Sequence, residues 1–376
     1  MPPTRILYVT DLLLAGGIER QLTELVIRLD RSRFEPHILC LYGPRTGRSL
    51  HFAEQLQAAN IPVHVLDLTP SPAAKLRGLL LIAWETWKLH PHVLHAVNYH
   101  SNLLSRLARL MLPPRTRLLG SLRTEATAKQ LLYERVSGWA CWRIVCNSPH
   151  LQRQLIDQAH ISASKVDYIP NGIDTDRFAS SPDPALSQQL RTNASAVLAM
   201  FGRISEQKSP YLLAQAVGLL TEQGQWPANA RVLIVGERES VVQQTWLEAA
   251  ISHHGLSAIV EQFPQTSQPQ TFYHAADFTV LASLWEGLPN VALESLAAGR
   301  PVIISEAANA AEVITQGVTG WIVKTGDVES LANAIRTALN TSPEAMSTMR
   351  IACVARAGDF AMAKMVAAYE SLYARL

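Results

Sequence analysis

The stretch 277-DFTVLASLWEGLPNVALESLAAGRPVIISE-306 decides the fold. DFTVLA is a short apolar run, the length of a buried strand. The Gly-Leu-Pro-Asn turn follows, and VALESLAA reads as a helix capped by Asn290 and stopped by Gly299. PVIISE is a second buried strand. Strand, turn, helix and strand in this order form a βαβ unit, so the two strands lie parallel in one sheet.

The same alternation extends outward in both directions. Toward the N-terminus, RILYVT (5–10), PHILCLY (36–42), PVHVLDL (62–68), HVLHAV (92–97), RLLGSLRTE (117–125) and RIVCNS (143–148) read as strands. Helices are expected at 49–59 and 73–89, after Gly16-Gly17, and from Pro149. A second series holds AVLAMFGRI (196–204), ARVLIVGE (230–237), IVEQF, the opening stretch and WIVKT (321–325), with a helix at 241–254 and a helical tail from 328. Between the series, KVDYIPNGIDTDRF (165–178) and the polar residues to 194 mark a domain boundary. The chain of 376 residues is too long for one ordinary core. The expected architecture is α/β: two Rossmann-like doubly wound domains facing a cleft, with ligands at the carboxyl ends of the strands.

Composition bounds the function. Net charge is +2, yet residues 1–175 hold 20 Lys and Arg against 13 Asp and Glu, and the remainder 13 against 18. A basic first half fits either an anionic partner, such as an acidic lipid surface or a phosphate-bearing acceptor, or an ordinary soluble surface. Cys40, Cys141, Cys146 and Cys353 have neither zinc-ligand nor disulfide-framework spacing, and are expected to fill cores in a reducing compartment. No signal peptide is read at the start, and the longest apolar run, LLLIAW (79–84), is too short to span a bilayer. A cytoplasmic location is expected.

Glu286 and Glu294 flank the turn of the opening stretch. Backbone amides at 288–291, at a helix start, suit a phosphate. A carboxylate beside a phosphate is repelled by it, so Glu294 is expected to accept from the two hydroxyls of a ribose. Glu286, across the turn, would meet the hydroxyls of a sugar. Capping by Glu286 and plain solvation of Glu294 is the competing account. FGRISEQKSP (201–210) adds Arg203 and Lys208 after a strand, two cations suited to a diphosphate leaving group. Gly16-Gly17 would let backbone approach a ligand closely, although a plain tight turn fits equally.

Together these motifs resemble the retaining glycosyltransferases of family 4, which have the GT-B fold. The E-x7-E signature is Glu286 to Glu294, and the Gly-Arg-x5-Lys pattern is nearly met by Gly202, Arg203 and Lys208. IPNGIDTDRF resembles the family's interdomain segment and GVTGWIV its late glycine turn; Phe360 and Tyr369 lie in a tail like its final helices. The resemblance implies residues 1–170 as an acceptor-binding domain, 171–355 as a donor-binding domain, and 356–376 as a helix crossing back to the first. It implies transfer from a nucleotide-diphosphate-sugar, UDP by preference, to a glycan or lipid-linked acceptor. Arg203, Lys208 and Glu286 are the implied catalytic set. Gly16, Gly17, Gly202, Gly287, Leu288, Pro289, Asn290 and Glu294 complete the donor site.

Two departures stand out. Where relatives carry a His by the strand that here reads RLLGSLRTE (117–125), this chain has Arg123, Thr124 and Glu125. Arg123, Glu125 and His100 are acceptor or sugar candidates; His95 and His100 are both candidates for the missing His, each weighed against a structural role. In EAANAAEVI (306–314), Ala308-Asn309-Ala310 replaces the family's Gly-Gly and would reshape the sugar pocket, with Glu312 as a further candidate. Asp174-Thr175-Asp176 looks like a metal-binding D-x-D but reads better as a turn, so neither metal nor cofactor is expected. No nucleic-acid partner is expected. SNLLSRLARLMLPPRTR (101–117) reads as a helix whose apolar stripe suits sheet packing and whose arginines suit an anionic membrane. The alternatives are a nucleotide-sugar 2-epimerase, which would need no acceptor, and a nucleotide-binding scaffold with a decayed site.

Overall fold

The computed structural model describes residues 2–14, 16–43, 51–69 and 71–375. Two compact units divide them: Met1–Gly172 with Met362–Leu376, and Ile173–Ala361.

The first unit runs β1 (Thr4–Thr10), α1 (Gly17–Arg28), β2 (Phe34–Cys40), α2 (His51–Ala58), β3 (Val63–Val65), α3 (Pro72–Leu89) and β4 (Val93–Ala96). It continues with α4 (Tyr99–Leu107), β5 (Arg117–Leu122), α5 (Ala128–Ser137), β6 (Arg143–Cys146), α6 (Pro149–Arg153) and β7 (Val166–Tyr168). Its seven strands are parallel, in the order β3-β2-β1-β4-β5-β6-β7. The second unit holds α7 (Thr175–Phe178), α8 (Pro184–Arg191), β8 (Val197–Phe201), α9 (Pro210–Glu222), β9 (Arg231–Val235), α10 (Val241–His253) and β10 (Val260–Phe263). Then come α11 (Gln270–Ala275), β11 (Phe278–Leu281), α12 (Asn290–Ala297), β12 (Val302–Ser305), β13 (Gly320–Val323), α13 (Val328–Leu339) and α14 (Pro343–Ala357). The order of its parallel sheet is β10-β9-β8-β11-β12-β13. The last helix, α15 (Met362–Tyr373), belongs to the first unit.

Helices cover both faces of each sheet, which is why the strands are apolar throughout. Successive side chains of a strand point to opposite faces. In β1, Ile6 and Tyr8 join one core cluster while Leu7 and Val9 join another. In β8, Val197, Ala199 and Phe201 face one side, and Leu198 and Met200 the other. The four cysteines are buried and free.

Several expectations need correction. The units divide between Gly172 and Ile173, inside the boundary segment 165–194, but that segment is structured and contains β7, α7 and α8. The helix expected over 101–117 ends at Leu107, because a 3-10 turn (Arg109–Met111) and Pro113-Pro114 break it and Arg117 starts β5. Asn290 is the first residue of α12 rather than its cap; Pro289 holds the cap position, with no side-chain cap bond. Gly299 does end that helix region, in the left-handed conformation at φ 67°. The first two residues of the helix expected at 49–59 lie outside the described residues. Among the described residues no helix is long and apolar enough to cross a membrane.

Candidate functional site

In each sheet the strand order reverses direction next to one strand: between β1 and β4, and between β8 and β11. The carboxyl ends of strands at such a switch point leave a crevice, because the helices on either side diverge to opposite faces. Arg203, Lys208 and Glu286 follow β8 and β11, and Gly16, Gly17 and His100 follow β1 and β4, whereas Arg123 and Glu125 follow β5 and Glu312 follows β12.

In the second unit, β8 ends at Phe201 and hands the chain to Gly202 and Arg203; β11 leads to Glu286. Lys208 Nζ donates to Glu286 Oε1 at 2.5 Å, and both side chains are nearly buried. The two loops are tied by Leu284 N donating to Gln207 O at 2.8 Å and Gln207 Nε2 donating to Trp285 O at 3.0 Å. Gly202 takes φ +134°, and the Lys208 stem runs so close that a Cβ there would lie 3.1 Å from Cε. Arg203 is half exposed and pairs with Glu239 at 2.5 Å. The result is two cations at a sheet switch point, one anchored and one at the rim.

Glu294 is not a solvated helix residue: it is buried in α12, among Leu293, Leu296 and Ala297. Its Oε2 accepts from the Tyr273 hydroxyl at 2.9 Å. Tyr273 is itself fixed by stacking on Phe201, ring centroids 3.9 Å apart. Gly287, Leu288 and Pro289 are buried between the two glutamates. The sequence reading missed Tyr273, Glu239 and Gln207. None stands at a motif spacing, and Tyr273 is 21 residues from Glu294.

Glu312 lies apart, in a turn after β12, at φ 54° and exposed, with its carbonyl accepting from Arg356 at 2.8 Å. Ala308 is fully buried in the core, and Asn309 clamps the backbone of Ile314 with two hydrogen bonds of 3.0 and 2.9 Å. Asp174 caps α7 through the Arg177 amide at 3.1 Å, as a turn residue would.

In the first unit, β1 ends at Thr10-Asp11, and α1 and α4 start beside it. Gly16 holds the N-cap position of α1 and Gly17 begins the helix. The Glu19 carboxyl lies over Gly16, where a Cβ would meet it at 2.2 Å, so a side chain there would displace the Glu19 carboxyl. Burial pushes the Glu19 carboxyl above its usual range. Asn98 donates to Glu19 at 3.2 Å. His100 pairs with Asp11 at 3.2 Å, and that hydrogen bond raises the imidazole pKa.

Arg123 donates to the Tyr369 hydroxyl at 2.8 Å and lines a cleft with Ile18, Asn98, Tyr99, Ser121 and Tyr133. Glu125 is exposed, 4.0 Å from His150. His95 is core: Nδ1 meets the Tyr373 hydroxyl at 2.9 Å, Nε2 meets Ser121 Oγ at 2.8 Å, and burial holds the ring neutral.

The family model "Glycosyl transferases group 1" matches residues 184–352, and "Glycosyltransferase Family 4" matches residues 15–177. A D-inositol 3-phosphate glycosyltransferase of Thermobispora bispora is 27% identical over 237 residues, 61% of this chain and 55% of that relative. The chain thus spans about half that relative's length. The UDP-Gal:alpha-D-GlcNAc-diphosphoundecaprenol alpha-1,3-galactosyltransferase of Escherichia coli is 23% identical over 348 residues, 88% of this chain and 87% of that one. Anabaena Alr3699/HepE, crystallised with UDP and glucose, superposes with a TM-score of 0.83 at 20% identity, over 99% of this chain and 100% of that one. The two Rossmann-like units are those of the GT-B fold.

Proposed function

We propose that this chain, which belongs to the family 4 glycosyltransferases, moves a sugar from a nucleotide-diphosphate-sugar to an acceptor hydroxyl with retention at the transferred carbon. The observation that carries the reading is the Lys208–Glu286 pair at the β8/β11 switch point, with Arg203 at its rim and Glu294 in the following helix. An ammonium has three donors, so Lys208 can keep Glu286 while giving the others to a diphosphate. Arg203 then leaves Glu239 for the same diphosphate, where its planar fork fits phosphate oxygens. Glu294, held by Tyr273, accepts from the ribose hydroxyls, and Glu286 from the donor sugar.

In the reaction the acceptor oxygen bonds to the anomeric carbon as that carbon's bond to the diphosphate oxygen breaks. The electron pair leaves with the diphosphate. The acceptor proton passes to the departing phosphate oxygen on the same face of the sugar. Lys208 and Arg203 stabilise the charge growing there, the task a metal ion performs elsewhere, and we propose that none is needed. UDP is the proposed nucleotide, supported by the ligands named for the Anabaena structure and by the donor in the name of the Escherichia coli relative. That relative's name also supports a lipid-linked glycan as acceptor, hence work at the inner face of a membrane.

The test is thermal-shift binding against UDP-, GDP-, ADP- and dTDP-sugars. A ligand at a hundred times its Kd adds about 2.7 kcal/mol to the stability of the native state. The expected result is stabilisation by UDP-sugars that disappears in Glu294→Ala and Arg203→Ala. A folded protein stabilised by none of them overturns the reading.

A further inference from the structure

The first unit exposes an unusual set of large apolar side chains. On α3, Leu80, Trp84 and Trp87 recur at i, i+4 and i+7, so they form one outward stripe; Trp84 is 66% exposed. Leu110, in the turn after α4, is 86% exposed. On and after α5, Leu132 and Trp139 stand out, the latter 64% exposed. These segments lie side by side on one face of the sheet. Their inward residues (Ile82, Leu104, Leu131 and Ala140) enter the same core cluster. Trp87 Nε1 donates to Met111 O at 2.7 Å, and Arg106 of α4 pairs with Glu134 of α5 at 2.8 Å.

Charge on this face is predominantly positive. Arg77 and Lys88 flank the α3 stripe, Arg109 lies beside Leu110, and Lys129 and Arg135 accompany Leu132. The acids of these helices are Glu85, which faces His64 at 3.3 Å, and Glu134, which is buried against Arg106. A surface of this sign repels a second copy of itself. Tryptophan among leucines with lysine and arginine at the margin matches the boundary between lipid headgroups and acyl chains.

We infer that the face built by α3, the turn after α4 and α5 docks on an anionic lipid bilayer, with Trp84, Trp87 and Trp139 inserted at headgroup depth. The inference deepens the reading of a lipid-linked acceptor, and the docking itself is measured without any transfer. It also corrects the sequence expectation for 101–117. Arg106 there is buried in an ion pair, Arg117 is in β5, and the membrane-facing residues come chiefly from α3 and α5.

The experiment is co-sedimentation of the full chain with vesicles of phosphatidylcholine plus phosphatidylglycerol, against phosphatidylcholine alone. Binding to the anionic vesicles that weakens with salt is expected. Trp84→Ser with Trp139→Ser should lower it about tenfold. Arg77→Ser and Lys88→Ser should each lower it about fivefold. Melting temperatures and nucleotide thermal shifts should stay unchanged in every variant, which separates failure here from failure of the transferase reading. The chain remaining in the supernatant, binding both vesicle types equally, or binding unaltered by these variants overturns the inference. So does a dimer in sedimentation velocity that Trp84→Ser dissociates, since a second copy would then cover the face.

Discussion

The Lys208 ammonium sits 2.5 Å from the Glu286 carboxylate, two loops and 78 residues away in sequence, with both side chains nearly sealed from water. Such a pair is costly to break one partner at a time, since the remaining charge has lost its compensation. It also sets a balance: the cation that would hold a diphosphate is shared with the anion that would hold a sugar.

Glu286→Gln should therefore tighten UDP binding a few-fold while lowering transfer about a hundredfold or more, because Lys208 is released to the diphosphate but the sugar loses its acceptor. Lys208→Met should weaken UDP and transfer alike and reduce stability by about 3 kcal/mol. Calorimetric titration with UDP, alongside urea unfolding, reads both. Equal losses of UDP binding in the two variants would show that the pair does not share its cation.

Tyr273→Phe removes one hydroxyl and leaves the stack on Phe201. It should cost about 1–2 kcal/mol of stability and loosen the orientation of Glu294. The expected signature is a rise in the UDP dissociation constant of about tenfold, with little change for inorganic diphosphate, which has no ribose. An equal effect on both ligands would detach Glu294 from ribose recognition.

Gly202→Ala and Gly236→Ala separate strain from packing. Gly202 has φ +134° and a flexible lysine stem as its neighbour, so alanine there should cost about 1–3 kcal/mol and displace Lys208. At Gly236 a Cβ would lie 1.8 Å from the Gly202 carbonyl oxygen, which is backbone and cannot swing away. Gly236→Ala should be the more destabilising of the two in thermal unfolding.

His100 and His95 should act on stability with opposite pH dependence. The Asp11 hydrogen bond raises His100, so its contribution is complete below 6.5 and is lost as pH rises through the raised value. His95 is held neutral by burial, so unfolding takes up a proton below 6.5 and stability falls as the solution becomes more acid. The melting-temperature deficit of His100→Gln should be largest near about pH 5 and shrink toward about pH 8. A deficit independent of pH would mean that the Asp11 pair carries no net charge interaction.

Much of the fold was legible because parallel strands covered on both faces must be apolar runs, and the helices between them must show helical spacing. The βαβ unit around Glu286 and Glu294 is such a case. Boundaries were less legible. α4 stops at Leu107 because a 3-10 turn and two prolines intervene, whereas the apolar spacing by itself continues to Met111. Edge strand β7 and helix α7 span only three and four residues, too few to show a period.

By itself the sequence determined the alternation of strands and helices, and supplied the residue types proposed to meet a diphosphate, a ribose and a sugar. Local spacing suffices for that, since a turn or a helix start depends on neighbours in the chain. Only the tertiary structure decided which charges are shared. It paired Lys208 with Glu286 and Arg203 with Glu239, set Tyr273 against Glu294, and buried His95 and Arg106 while leaving Trp84 and Trp139 in solvent. Burial and ion pairing depend on which faces of distant helices meet a sheet, and chain spacing carries no record of that meeting.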